Sequence, residues 1–298
     1  MSSYKSHPLV PILSVFGSIT FLCLGTSLAK HTLFPLFGAQ GTTAIRVGFS
    51  ALLLLAVWRP WRQAISRTDA GTLICYGVAL GLLNLCFYLS LRTIPFGVAV
   101  AIEFSGPLAV ALFSSRRPLD FAWILVAVMG LGLLLPMGNT VSELDPVGVM
   151  YALAAAVFWA GYILCGRRME HLHAGHSVAL GLAVAALVVV PVGLPYIGTA
   201  LFSPWVFAVG LCVAIASSAI PFSLEMIALK RLPPQAFGVM ISMEPALAAL
   251  LALVLLDERL SSLQWLAIGL IALASAGSSV TVRRTGNSSP GSRTSFAE

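Results

Sequence analysis

Apolar runs of about 20 residues follow one another along this chain, separated by short polar breaks. That length is what an α-helix needs to cross the hydrocarbon layer, where only helices and closed barrels satisfy their own backbone. Ten spans are expected, at 9–29, 35–58, 71–91, 95–114, 119–138, 147–166, 176–198, 204–229, 235–256 and 263–282. Charged residues make up only 9% of the chain and hydrophobic ones 58%, against roughly 25% charged in a soluble domain. So little charge cannot cover a water-facing surface. The expected fold class is an all-α polytopic membrane protein. The first run is longer than a signal-peptide core and no small-residue cleavage site follows, so it reads as a retained span.

The net charge of +6 is distributed in a way that sets orientation. With the N-terminus inside, the inner segments hold Lys5, Arg59, Arg62, Arg67, Arg116, Arg117, Arg167, Arg168, Lys230, Arg231, Arg283, Arg284 and Arg293, 13 basic residues in all. The outer loops hold three, Lys30, Arg92 and Arg259, and Arg46 lies within a span. Cytoplasmic loops collect Lys and Arg, so both termini are expected in the cytoplasm. The basic balance is then an orientation signal, not a nucleic-acid footprint. The polar, Gly- and Ser-rich tail 285–298 is expected to be disordered. Cys23, Cys75, Cys86, Cys165 and Cys212 all fall in apolar runs with no zinc or redox spacing, and read as small buried residues.

Two stretches align without a gap. "LRTIPFGVAVAIEFSGPLAVAL" (91–112) lies over "LKRLPPQAFGVMISMEPALAAL" (229–250) at an offset of 229 − 91 = 138, matching Pro95 with Pro233 and Pro107 with Pro245. Trp123 meets Trp265 at 265 − 123 = 142, and Lys30 meets Arg167 at 167 − 30 = 137. The expected organisation is a duplication, residues 1–140 and 145–284, each copy with five spans. An odd number of crossings turns the second copy upside down, and inverted repeats with a midplane site between them are a recurring transporter build.

The stretch "AIEFSGPLAV" (101–110) places Glu103 deep inside an apolar span. A charge at the bilayer centre costs roughly 2.5–3.5 kcal/mol on insertion scales, so Glu103 is expected to face the bundle interior or a wet cavity. Pro107 has no N–H, which leaves the carbonyl of Glu103 without its helical partner, and Gly106 allows another backbone or a ligand to approach. The second copy repeats the device as "SMEP", with Glu244 directly before Pro245 and at the place of Gly106. Two interrupted helices, each with a buried acid, are the best sequence pointer to a binding site. The plainer reading is that each acid caps a neighbouring helix or bonds a serine.

Other intramembrane polar groups join these. Arg46 is an always-charged fork suited to a carboxylate, or else one half of a structural ion pair with a glutamate. Glu225 has either a cavity role in proton coupling, with Glu103 and Glu244, or a near-interface pairing with Lys230 and Arg231. Asn84 and Tyr88 share a helix face one turn apart, as do Trp159 and Tyr162; all four are candidate substrate contacts, with ordinary packing as the alternative. The cluster His171, His173 and His176 reads as a solvated loop, so no metal site is expected. Nothing resembles a P-loop, a dinucleotide fingerprint or a nucleophile motif. No cofactor, no enzyme activity and no ATPase subunit are expected.

The duplicated five-span units, each with a proline in its fourth span, resemble the drug/metabolite transporter superfamily. More narrowly, "AIEFSGPLAVALFSSRRPLDF" (101–121), "IPFSLEMIALKRLP" (220–233) and "SMEPALAALLALVLLDERL" (242–260) are similar to the threonine/homoserine exporter family of bacterial inner membranes. That resemblance, over residues 9–284, implies an inverted-repeat carrier with a central cavity, moving small neutral amino acids outward against protons. A zwitterion needs one cationic and one anionic partner in a dry cavity. Arg46 would hold the carboxylate, and Glu103 or Glu244 would meet the ammonium when ionised and release it when protonated. A hydrophobic cationic cargo is the alternative within the superfamily.

Overall fold

The computed structural model describes residues 9–62, 66–113, 118–134, 144–169, 171–229 and 240–286. Among them there are helices and turns and no strand. In chain order these are α1 (Leu9–Thr32), α2 (Phe34–Trp58), α3 (Arg67–Ser90), α4 (Phe96–Glu103), α5 (Ser105–Phe113), α6 (Pro118–Leu134), α7 (Pro146–Arg168), α8 (Ala174–Ile197), α9 (Pro204–Ala214), α10 (Ile220–Leu229), α11 (Glu244–Leu255) and α12 (Ser262–Gly286). Each expected span meets a helix or a broken pair of helices. α4 and α5 make one span interrupted at Phe104, and α9 and α10 make another joined by a π-turn, Ile215–Ala219. Among the described residues six helical segments are long and apolar enough to cross a bilayer, and Phe96–Val110, Glu244–Leu255 and Ser262–Ala274 are shorter apolar helices. The last helix runs to Gly286, a turn beyond the expected 282, and residues 287–298 lie outside the described residues.

Local chemistry sets the helix starts. Ser66 caps α3, its hydroxyl accepting from the Asp69 N–H at 3.1 Å. Asp145 caps α7, accepting from the N–H groups of Val147 and Gly148 at 3.3 Å each. Prolines stand in the first turns of α2, α7, α9 and α11, where a missing N–H costs nothing.

The principal helix pairings are α2 with α8, α3 with α7 and α8, α6 with α12, α1 with α10, α4 with α11, and α5 with α7. Small residues allow the close crossings that drive association where no hydrophobic effect operates. A Cβ at Gly97 on α4 would sit 2.6 Å from Ala249 Cα on α11. A Cβ at Gly106 on α5 would run into the carbonyl oxygen of Ala156 on α7. Gly106 therefore serves backbone-to-backbone packing, one of its two expected uses. Large apolar side chains such as Leu52, Val157, Leu187 and Val254 are exposed, as they should be against lipid. Cys75 and Cys212 also lie on this outer surface, which corrects the reading of all five cysteines as buried: only Cys23 is. Cys75 on α3 and Cys165 on α7 are neighbours, a proximity that sequence spacing did not suggest.

Candidate functional site

A cavity of about 840 Å³, counting its open mouth, lies among α1, α2, α3, α4, α7, α10 and α11. Its wall includes Arg46, Asn84, Glu103, Trp159, Tyr162, Glu225 and Glu244. Seven of the residues singled out from sequence thus meet at one place, although they come from six helices.

The interrupted spans deliver two of the acids. α4 ends at Glu103 and α5 starts at Ser105, with a turn at Phe104 whose backbone stays in the right-handed helical region. The later span breaks at Ser242 and Met243, with α11 starting at Glu244. Glu103 and Glu244 are 7% and 6% exposed. Among the described residues neither has a cation within 4.0 Å, and neither caps a helix or bonds a serine. Glu103 lies within electrostatic reach of both Glu244 and Arg46, and Glu244 within reach of Glu225. Lys230 and Arg231, the alternative partners of Glu225, lie outside the described residues. Pro107 and Pro245 stand just after the interruptions, as expected of helix breakers.

Arg46 projects from α2 and is 3% exposed. Its Nε donates to the Ser218 hydroxyl at 3.4 Å, and its guanidinium lies over the Tyr88 ring, 5.3 Å from the centroid. No carboxylate pairs with it among the described residues. The π-turn explains the Ser218 contact, because the extra residue turns Ser217 and Ser218 into the bundle; nearby on α2 the Ser50 hydroxyl donates to the Arg46 carbonyl at 2.6 Å and lies 3.3 Å from the Ala214 carbonyl. Arg46 is thus held by Ser218 and Tyr88 while it lines the cavity.

Asn84 and Tyr88 share a face of α3 but not a depth. Asn84 lines the cavity, its Nδ2 donating to the Leu80 carbonyl at 2.8 Å. Tyr88 is fully buried, packed against Phe34 and Phe87 beneath Arg46, and its hydroxyl finds no hydrogen-bond partner among the described residues. It supports Arg46 and is not part of the wall. Trp159 packs edge-on against Phe104, with centroids 5.6 Å apart, so the interruption itself holds the indole. Tyr162 stacks on Tyr76 at 4.6 Å.

Several wall residues carried no earlier signal. Ser18, Cys23 and Thr26 from α1 and Phe222 from α10 are small or apolar residues in apolar runs, and only the fold brings them in. The same holds for a polar clasp at one end of the cavity. Glu258, in the turn after α11, accepts from the Lys30 ammonium at the end of α1 and from the Phe96 N–H at the start of α4, the latter at 2.7 Å. Asp257 adopts the left-handed conformation, φ 53°, that swings Glu258 back over the bundle. The histidines sit at the opposite end: His171 contacts Asp69 at 3.1 Å, and His173 and His176 pack on Trp58. Among the described residues no group of His, Cys, Asp and Glu has metal-binding geometry.

A bundle of lipid-facing helices around a charge-bearing hollow is the architecture of a membrane transporter. Residues 146–280 match the EamA-like transporter family model. The chain is 50% identical to the threonine/homoserine exporter RhtA of Escherichia coli K12 over 92% of this chain and 93% of that one. It is 48% identical to the RhtA of Salmonella typhimurium LT2, covering 95% and 96% of the two chains. One crystal structure, 23% identical, superposes with a TM-score of 0.58 over 92% of this chain and 98% of the other, which speaks for the fold alone. The chain belongs to the EamA-like transporter family.

Proposed function

We propose that this chain is a secondary active exporter of small neutral amino acids, threonine and homoserine among them, driven by exchange for protons. The observation that carries the reading is that one cavity is lined both by a guanidinium with no carboxylate partner among the described residues and by three carboxyl side chains. An amino-acid zwitterion carries the complementary charges, and a dry pocket strengthens both contacts. Half-identity to two proteins named as threonine/homoserine exporters supports the cargo. Arg46 takes the carboxylate. Glu103 or Glu244 takes the ammonium, and a proton arriving at that carboxyl group competes with the bound cation and releases it. Glu225 supplies a third carboxyl between that pair and Tyr162.

The proposed organisation is two inverted five-span copies in a bacterial inner membrane, with both termini cytoplasmic. Three features support the two copies. The interruptions at Phe104 and Ser242 stand at the repeat offset, 242 − 104 = 138. Exchanging the copies maps the pairing α3·α7 onto α1·α10. The pairings α2·α8, α4·α11 and α6·α12 each join a span to its own counterpart. On this reading Lys30, Glu258 and Phe96 close the outer end of the cavity, and export needs that clasp to open.

Three acids also suit a hydrophobic cation, the second reading, but Arg46 on the same wall opposes it. Growth protection separates the two. Cells overproducing the chain should survive inhibitory homoserine or threonine and gain no resistance to cationic dyes. Protection against the dyes alone would refute the amino-acid reading.

A further inference from the structure

Asn84 is a buried amide whose two ends are treated differently by the fold. Its Nδ2 is committed to the Leu80 carbonyl. That bond fixes the side chain with Oδ1 turned away from its own helix backbone. Oδ1 has no partner among the described residues, and it is not among the unpartnered side-chain atoms sealed from solvent there, which are Ser27 Oγ, Thr42 Oγ1 and Tyr88 OH. On a residue that lines the cavity and is 7% exposed, the accessible side of that oxygen is the cavity. An amide oxygen accepts hydrogen bonds without carrying charge. It is therefore poorly matched to the row of carboxylates and well matched to a neutral hydroxyl.

We infer that Asn84 reads the side-chain hydroxyl of the cargo, so that the cavity favours hydroxy amino acids over their apolar isosteres. The inference rests on the amino-acid reading above. Position supports it. Tyr88, one turn along α3, carries the Arg46 guanidinium over its ring, and a helical turn rises about 5.4 Å. An amino acid whose carboxylate is held by Arg46 therefore brings its β- or γ-hydroxyl to the level of Asn84. The two-copy arrangement supports it as well. Phe222 occupies the equivalent place in the second copy, 222 − 84 = 138, and also lines the cavity. Equivalent positions thus present a polar reader on one wall and an apolar ring on the other. Threonine satisfies both. Valine, its isostere, leaves Oδ1 stripped of water and unpaired, which a buried acceptor penalises.

The test uses the full chain reconstituted in lipid vesicles, with labelled threonine and valine measured for counterflow in wild type, Asn84→Leu and Asn84→Ser. Wild type should favour threonine by about tenfold, the worth of one neutral hydrogen bond together with an unpaired acceptor. The ratio should fall to near one in Asn84→Leu and to an intermediate value in Asn84→Ser, which keeps a short hydroxyl. An unchanged ratio in both variants, an equal loss of both substrates, or a wild-type ratio near one overturns the inference and leaves the exporter reading standing. If wild type moves neither amino acid, the exporter reading falls and takes this inference with it. Should Asn84→Leu fail to fold, the Asn84→Ser ratio decides: unchanged, it overturns the inference.

Discussion

At the end of the cavity where α1 finishes and α4 begins, closure is polar: the Lys30 ammonium and the Phe96 N–H converge on Glu258. At the opposite end Tyr76 and Tyr162 stack face to face, and Tyr76 presses against Gly181 of α8. The difference bears on how each end can open. A clasp of charges has an alternative partner in water, so it loses little when hydrated and holds with all-or-none geometry. A ring stack has no such alternative and yields by sliding over small residues, as closely packed membrane helices do. On the exporter reading, the Lys30 end is expected to release and the Tyr76 end to shear.

The largest effect is expected where the two designs share a requirement, close helix approach. Gly97→Leu would drive a side chain into Ala249, force α4 off α11 beneath the clasp, and destabilise by roughly 1–3 kcal/mol or more. Its melting temperature in detergent should drop and transport should vanish. Lys30→Met comes next. Glu258 then keeps one partner and loses its cation, and the clasp should open too readily. Threonine flux should fall about tenfold, the scale of one lost charge-assisted hydrogen bond. A cysteine placed by Thr26→Cys, one turn below, should react faster with an impermeant thiol reagent added outside. The charge exchange of Lys30→Glu with Glu258→Lys should restore part of the flux; no recovery would mean the clasp acts through packing.

A smaller effect is expected at the other end. Tyr162→Phe keeps the stack on Tyr76 and removes one hydroxyl, a loss of no more than about 0.5–1.5 kcal/mol. Stability should shift by that amount with the substrate preference untouched. If it alters flux as strongly as Lys30→Met, the contrast between the ends is wrong. The smallest effect belongs to Asp145, the cap of α7 near the clasp. The Thr93 hydroxyl, then the Val147 and Gly148 N–H groups, hold its carboxyl below the ordinary range. A lowered folded value stabilises the protein above the unfolded one and is lost as pH falls through it. The melting difference between wild type and Asp145→Ala should therefore be constant near neutrality and shrink progressively as pH falls below about 4. A difference that persists in acid would assign the cap to backbone geometry instead.

The spans were legible because hydrophobic length is a property of each segment alone. So were Glu103, Glu244 and Arg46, since a charge in oil must be explained wherever it points, and Pro107 and Pro245 marked the interruptions to within a few residues. The clasp was not legible. Lys30 and Glu258 stand 228 residues apart, each at a span end where a charge looks like ordinary loop surface. Ser18 and Thr26 were missed for a related reason, because small hydroxyls inside a helix commonly bond their own backbone and announce nothing. Helical spacing put Asn84 and Tyr88 on one face, but spacing says nothing of depth, and Tyr88 went under Arg46. The π-turn that aims Ser218 depends on packing against α1 and α2, and no local sequence signal marks it.

Proton coupling through the cavity acids is the claim on which the mechanism turns, and threonine efflux from loaded vesicles under an imposed pH gradient addresses it directly. Wild type should accelerate when protons are supplied on the receiving side, while at least one of Glu103→Gln and Glu244→Gln should keep exchange and lose the response to the gradient. Wild-type acceleration in both variants would contradict the account.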